Sequence, residues 1–270
     1  MSAVTEPAYA KLNLILHVGP PRRDGLHPLC SIFASIDLAD EVRAEPSDGD
    51  EDSVHCPGVH GPNLATRALA AFRARVPGLP PVDVRIAKRI PVAAGLGGGS
   101  ADAAAVLRAA NRIAGDPLDV TALREIGATL GSDVPSQIEP RHALVQGVGE
   151  IVEPIELPAL TAVLVPQPDG LSTAAVYAEL DRMGAWREEL DPELVRARAP
   201  DALENDLQPA ALALRPELSQ VLDTLHATGG SEPLVSGSGP TCFALFADSA
   251  AAERAGAALR GALLARLRDA

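Results

Sequence analysis

Hydrophobic and polar positions alternate from Ala10 to Val18, with Ala10, Leu12, Leu14, Leu16 and Val18 on one side and Lys11, Asn13, Ile15 and His17 on the other. A period of two predicts a strand with one face buried. It leaves Lys11, Asn13 and His17 on the open face, where solvated side chains and ligand contacts are both readings. After a Pro, Gly and Arg-rich loop from Gly19 to Pro28, two further strands are predicted over Ser31–Leu38 and Val42–Glu45, separated by Ala39-Asp40. Asn63 is placed to cap a helix running to about Val76, with Leu64, Ala68, Leu69 and Phe72 on its buried side. Val82, Val84 and Ile86 alternate with Asp83 and Arg85 as another strand.

That strand feeds the most informative segment, Pro91-Val92-Ala93-Ala94-Gly95-Leu96-Gly97-Gly98-Gly99-Ser100-Ala101. A glycine loop here opens an Ala-rich helix with Ser100 as its expected N-cap. Beyond it come a helix from Pro117 to a stop at Gly131, a turn at Ser132-Asp133-Val134-Pro135, and strands at Ala143–Gln146 and Ile151–Ile155. Pro154 to Pro158 marks the expected division between residues 1–156 and 157–270. The second part is predicted to hold a strand at Ala162–Val165 and helices over Thr173–Arg182, Leu203–Leu214 and Glu217–Thr228. A strand pair at Leu234-Val235 and Cys242–Phe246 follows, then a closing helix over Ala250–Leu267. Helices alternating with antiparallel strands give an α+β layer structure.

Composition narrows the functions open to this chain. Apolar residues reach 47% and aromatics only 3%, so Ala, Leu and Val fill the core of a globular protein. No apolar run is long enough to cross a bilayer and no signal peptide is evident, so a cytoplasmic location and no membrane partner are expected. The net charge of −13 opposes sequence-independent binding of nucleic acid. Cys30, Cys56 and Cys242 read as reduced thiols. His55, Cys56 and His60, like His27 and Cys30, lack paired zinc-ligand spacing and read as separate residues. Of 23 basic residues only Lys11 and Lys88 are lysines, so a site wanting a compact ammonium is one reading of Lys11.

The chemistry concentrates in the glycine loop. Glycine lets backbone approach an anion, and the N–H groups and dipole at a helix start attract one. The loop lacks the Gly-Lys-Ser/Thr of a Walker sequence and the third glycine of a dinucleotide fingerprint, which disfavours both of those folds. Ser100 offers a hydroxyl to magnesium or phosphate. Phosphoryl transfer then needs only alignment, charge neutralisation and a group to take the hydroxyl proton. Asp133 is a candidate base, and a neighbouring Lys11 would keep it ionised. Sequence spacing leaves open whether residues 11 and 133 meet.

These residues resemble the GHMP kinases, named for galactokinase, homoserine, mevalonate and phosphomevalonate kinases. The family's motifs are matched in order by Ala10-Lys11-Leu12-Asn13-Leu14, by Pro91 to Ala104 and by Val235 to Thr241. Further likeness lies in Asp24-Gly25-Leu26-His27, Gly131 to Pro135, Gly147 to Glu150 and Glu204 to Leu207. The resemblance implies a two-lobed α+β fold, with a ribosomal-protein-like N-terminal lobe around a four- or five-stranded sheet and a ferredoxin-like C-terminal lobe. It implies ATP with Mg2+ along Pro91–Ala101, Asp133 as base with Lys11 as partner, and phosphorylation of a 2-hydroxyl on a small cytidyl-diphosphate substrate. Asn13, Leu26, His27, Thr173 and Tyr177 are implied as substrate contacts. Leu26 stands where the family usually has a tyrosine stacked on the cytosine, leaving Tyr177 as the aromatic face. Ser136-Gln137-Ile138 lacks an expected phenylalanine. Family members acting on homoserine or mevalonate, and a non-catalytic ligand-binding protein of this fold, are the alternatives. A monomer or weak homodimer is expected.

Overall fold

In a computed structural model describing residues 2–59 and 63–269, Val4–Val18 (β1) pairs antiparallel with Leu29–Pro46 (β2). The pairing slips between Tyr9 and Lys11 and again between Asn13 and Ile15. Such irregularities re-aim side chains. Here they fall on the two polar residues of the motif, and Lys11, Asn13 and His17 are all buried, not solvated. β2 is one continuous strand where two were expected. Asp40, at the expected break, points inward and its carboxylate is satisfied by Lys88 and by the N–H groups of Arg89 and Ile90.

Next in the chain come Ser53–His55 (β3), Leu64–Arg75 (α1), Val82–Ala87 (β4) and Gly98–Ile113 (α2). Val120–Ala128 (α3), Val134–Ile138 (α4), Ala143–Gly147 (β5) and Ile151–Pro154 (β6) complete the first half. Asn63 caps α1 as expected, its side chain accepting from Ala65 N–H at 2.9 Å. α3 starts at Val120 and not at Pro117, because Asp119 caps it by accepting from Ala122 N–H at 2.8 Å. α2 is buried along most of its length, and its alanines let α1, α3 and the sheet pack close around Leu107 and Phe72.

The second half contributes Thr161–Val165 (β7), Thr173–Met183 (α5), Pro192–Arg198 (α6), Glu204–Asn205 (β8) and Gln208–Leu214 (α7). Leu218–His226 (α8), Leu234–Val235 (β9), Cys242–Phe246 (β10), Ser249–Ala258 (α9) and Leu263–Arg266 (β11) follow. The helix expected over Leu203–Leu214 is instead β8 followed by α7, with Pro209 in the first turn of α7. The closing helix stops at Ala258. Gly261, with φ +75°, turns the chain so that β11 can pair with β7. α6 is an element the periodicity did not announce.

One sheet runs β3-β4-β2-β1-β8, with β5 on β2 and β6 on β5, making seven strands where four or five were expected. The extra strands are short, and β8 is lent by the second half. The other sheet runs β11-β7-β10-β9, antiparallel throughout. Leu12, Ile36, Leu164 and Phe243 share one apolar cluster between the two sheets, so the halves are packed together.

Candidate active site

A cleft of about 560 Å³ opens between the lobes. Its floor is the glycine loop leading into α2. Gly97, not Ser100, is the N-cap, in the left-handed conformation at φ +70°, and no side chain caps the helix. The N–H groups of Gly98, Gly99 and Ser100 belong to the first turn, where an α-helix supplies no backbone partner. Ala101 N–H already donates to Gly97 carbonyl at 2.9 Å, and Ala101 is buried beneath the loop. Of the run expected to face phosphate, Pro91 to Ser100 line the cleft and Ala101 does not.

A second glycine turn, Ser236–Gly239, leans on the first. Ser236 Oγ donates to Gly95 carbonyl at 3.0 Å, and a Cβ on Gly95 would sit 2.2 Å from Ser236 carbonyl oxygen. Asn205 holds this turn from behind, its Nδ2 donating to the carbonyls of Val235 at 2.7 Å and Gly237 at 2.8 Å.

Residues 11 and 133 meet. Lys11 Nζ lies 3.2 Å from Asp133 Oδ2, with the carboxylate side chain 27% exposed toward the cleft. Asp133 occupies the N-cap of α4 but makes no side-chain cap hydrogen bond, which leaves its carboxylate turned to the ammonium. Lys11 also donates to Asn13 Oδ1 at 2.6 Å and sits 4.5 Å above the centre of the Phe33 ring. Asn13 Nδ2 donates to Ser31 Oγ, which donates to Ile15 carbonyl, so the pair is anchored to the sheet. Lys11 N–H reaches Leu96 carbonyl at 3.0 Å and ties the strand to the loop.

Thr173 and Tyr177 close the cleft from α5, with Thr173 Oγ1 2.9 Å from Ser238 Oγ. Burial, then the nearby Asp133 charge, push the Tyr177 phenol well up. His27 does not line this cleft. It is buried behind Tyr177, ring centres 5.1 Å apart, with Nδ1–H donating to Gly19 carbonyl at 2.8 Å and Nε2 3.3 Å from Asp181 Oδ1. Leu26 lies outside the cleft wall and is 48% exposed.

Sequence reasoning named none of Phe33, Asp102 or Ser238 as a cleft residue. Lys88 drew notice only as the second lysine. It donates to Asp40 and, at 2.6 Å, to Asp102, and both Lys88 and Asp102 reach the cleft wall beside Ser100. Burial first, and the neighbouring Asp40 carboxylate, push Asp102 up to about 6. Cys56 also lines the cleft as a free thiol. Among the described residues no group of three or more His, Cys, Asp or Glu is assembled for a metal, and His60 lies outside those residues. No described helix is long and apolar enough to cross a membrane.

Comparison with known proteins places this geometry. The profile of the GHMP kinases N terminal domain matches residues 63–139 and that of the GHMP kinases C terminal matches residues 186–264. The chain is 42% identical over 267 residues to the 4-diphosphocytidyl-2-C-methyl-D-erythritol kinase of Geobacter sulfurreducens, covering 96% of each chain. It is 39% identical to the enzyme of that name from Rhizobium johnstonii, covering 97% of this chain and 91% of the relative. A crystal structure of 4-(cytidine 5'-diphospho)-2C-methyl-D-erythritol kinase superposes with a TM-score of 0.83 at 35% identity, covering 99% of this chain and all of the other. A mevalonate kinase of L. major shares the fold alone, at 16% identity and a TM-score of 0.72.

Proposed function

The chain belongs to the GHMP kinase family, and from that premise we propose that it transfers the terminal phosphoryl group of ATP to the 2-hydroxyl of 4-diphosphocytidyl-2-C-methyl-D-erythritol. The observation that carries the reading is the Lys11–Asp133 pair, set in one cleft with the uncapped start of α2. Asp133 accepts the proton of the acceptor hydroxyl as its oxygen bonds to phosphorus and the bond to the ADP oxygen breaks. Lys11, paired with the carboxylate at 3.2 Å, orients it and offsets the negative charge of the transferring group. The N–H groups of Gly98 to Ser100 and the dipole of α2 receive the nucleotide phosphates.

The cleft suits a Mg2+ ion carried in on those phosphates. Magnesium keeps waters and phosphate oxygens and asks few ligands of the protein, and Ser100 supplies the one hydroxyl proposed for it. Bound there, the ion would neutralise charge on the phosphates.

For the acceptor, Asn13 and Thr173 present polar groups at the cleft wall, and Tyr177 offers a ring face for the cytosine. His27, fixed through Gly19 and Asp181, backs that ring. Leu26 is exposed outside the cleft wall, which leaves the second face of the base without a ring in this reading.

Asp133→Asn tests the assignment. Turnover should fall by about a hundredfold or more while ATP binding measured by calorimetry stays within about twofold, since the phosphate loop is untouched. Unchanged turnover would remove Asp133 from the chemistry.

A further inference from the structure

The three parts of the proposed chemistry sit on three different elements. The phosphate loop opens α2, Lys11 is on β1, and Asp133 caps α4. α4 has only five residues, too few to hold its place by its own hydrogen bonds. Yet the Lys11–Asp133 pair depends on where α4 lies along the sheet.

One side chain touches all three elements. Arg108, on α2, donates through Nη1 to Gln137 carbonyl of α4 at 2.7 Å and through Nη2 to Pro7 carbonyl of β1 at 2.6 Å. Its Nε donates to Glu6 Oε2 at 2.9 Å, and that buried carboxylate is also paired with Arg112 at 2.8 Å. Pro7 lies four residues before Lys11 and Gln137 four residues after Asp133. The Arg108 side chain is only 14% exposed, and its bonds to Glu6 and Gln137 are partly buried, while the one to Pro7 lies at the surface. The chain just beyond α4 is held by Arg268, which donates to Pro140 carbonyl and to Ser35 Oγ at 3.1 Å and stacks 3.5 Å over the Tyr9 ring.

We infer that Arg108 is a positioning residue for phosphoryl transfer: its fork fixes α4 against β1 and α2, and so sets the Lys11–Asp133 pair in register with the phosphate loop. The carbonyls it bridges lie on separate elements and diverge, a task for a planar guanidinium with several directed N–H groups. A lysine ammonium at the same place supplies the charge without the fork. Misplacing a reacting group by about 1 Å is enough to cost on the order of a hundredfold in rate. The inference rests on Asp133 being the base.

A double-mutant cycle separates the two. Turnover is measured for wild type, Arg108→Ala, Asp133→Asn and the double variant, with Arg108→Lys carrying the cycle if the alanine variant does not fold. Removing Arg108 should lower kcat about tenfold or more when Asp133 is present and less than about twofold in the Asp133→Asn background, because the misplaced group is then already absent. KM for ATP should change little, since the loop is held by its own contacts. An equal fold loss in both backgrounds, or full kcat in a folded Arg108→Lys protein, would overturn the positioning role. Full kcat in Asp133→Asn alone would instead overturn the base assignment, and the inference with it.

Discussion

Lys88 stands between two carboxylates, and that crowding is visible in a single residue. Asp40 is satisfied by Lys88 and backbone N–H groups, whereas Asp102 has only Lys88, and its Oδ1 is buried without a partner. Its carboxyl is pushed up from an ordinary 3.8 to about 6, chiefly by burial. A raised carboxyl pKa means the folded state holds the proton more tightly than the unfolded chain. The associated stability is complete below about pH 4 and disappears as pH rises through about 6. Asp102→Asn removes this titration. The stability of wild type relative to Asp102→Asn should therefore fall by roughly 2–3 kcal/mol between about pH 4 and pH 7, read from denaturant melts at each pH. A difference independent of pH would show that Asp102 titrates normally.

Among the elements, the loop joining β4 to α2 is the one whose sequence states its job most openly. Its glycines satisfy two separate demands, a left-handed backbone and contact with the second glycine turn. Gly95 meets both, at φ +75° with Ser236 and Gly239 oxygens where a Cβ would go. Gly95→Ala should therefore push the two turns apart, lowering stability by about 2 kcal/mol or more and raising KM for ATP more than it lowers kcat. An alanine variant with wild-type melting and KM would mean the turns separate at no cost. β4, α1 and α5 were equally legible, because the period is clear in each, and Asn63 caps α1 as its sequence predicts. The failures share a cause, which is that tertiary partners outrank local pattern. β2 runs through Ala39-Asp40 because Lys88 waits for Asp40, and Glu204-Asn205 leaves its helix to pair with β1. Lys11, Asn13 and His17 alternate like solvated residues, yet each is covered by a segment distant in sequence. His17 meets Glu204 at 2.8 Å, and Lys11 meets Asp133. Spacing alone carries no sign of such meetings, and the pairing of 11 with 133 became legible only through resemblance.

Over the whole molecule, the proposed reaction asks an acidic chain of net charge −13 to bring together two phosphate-bearing substrates. On that reading attraction is local: the uncapped start of α2 and Lys11 face a cleft closed by a turn from the other lobe. On the proposed reading, the distinction among substrates rests on the wall formed by Asn13, Thr173 and Tyr177 with His27 behind it. The most direct measurement is ADP release by the purified protein with ATP and magnesium, offered 4-diphosphocytidyl-2-C-methyl-D-erythritol, homoserine or mevalonate in turn. Turnover of the cytidyl substrate alone is the predicted result. Turnover of homoserine or mevalonate in its place, or of none of the three, would contradict it.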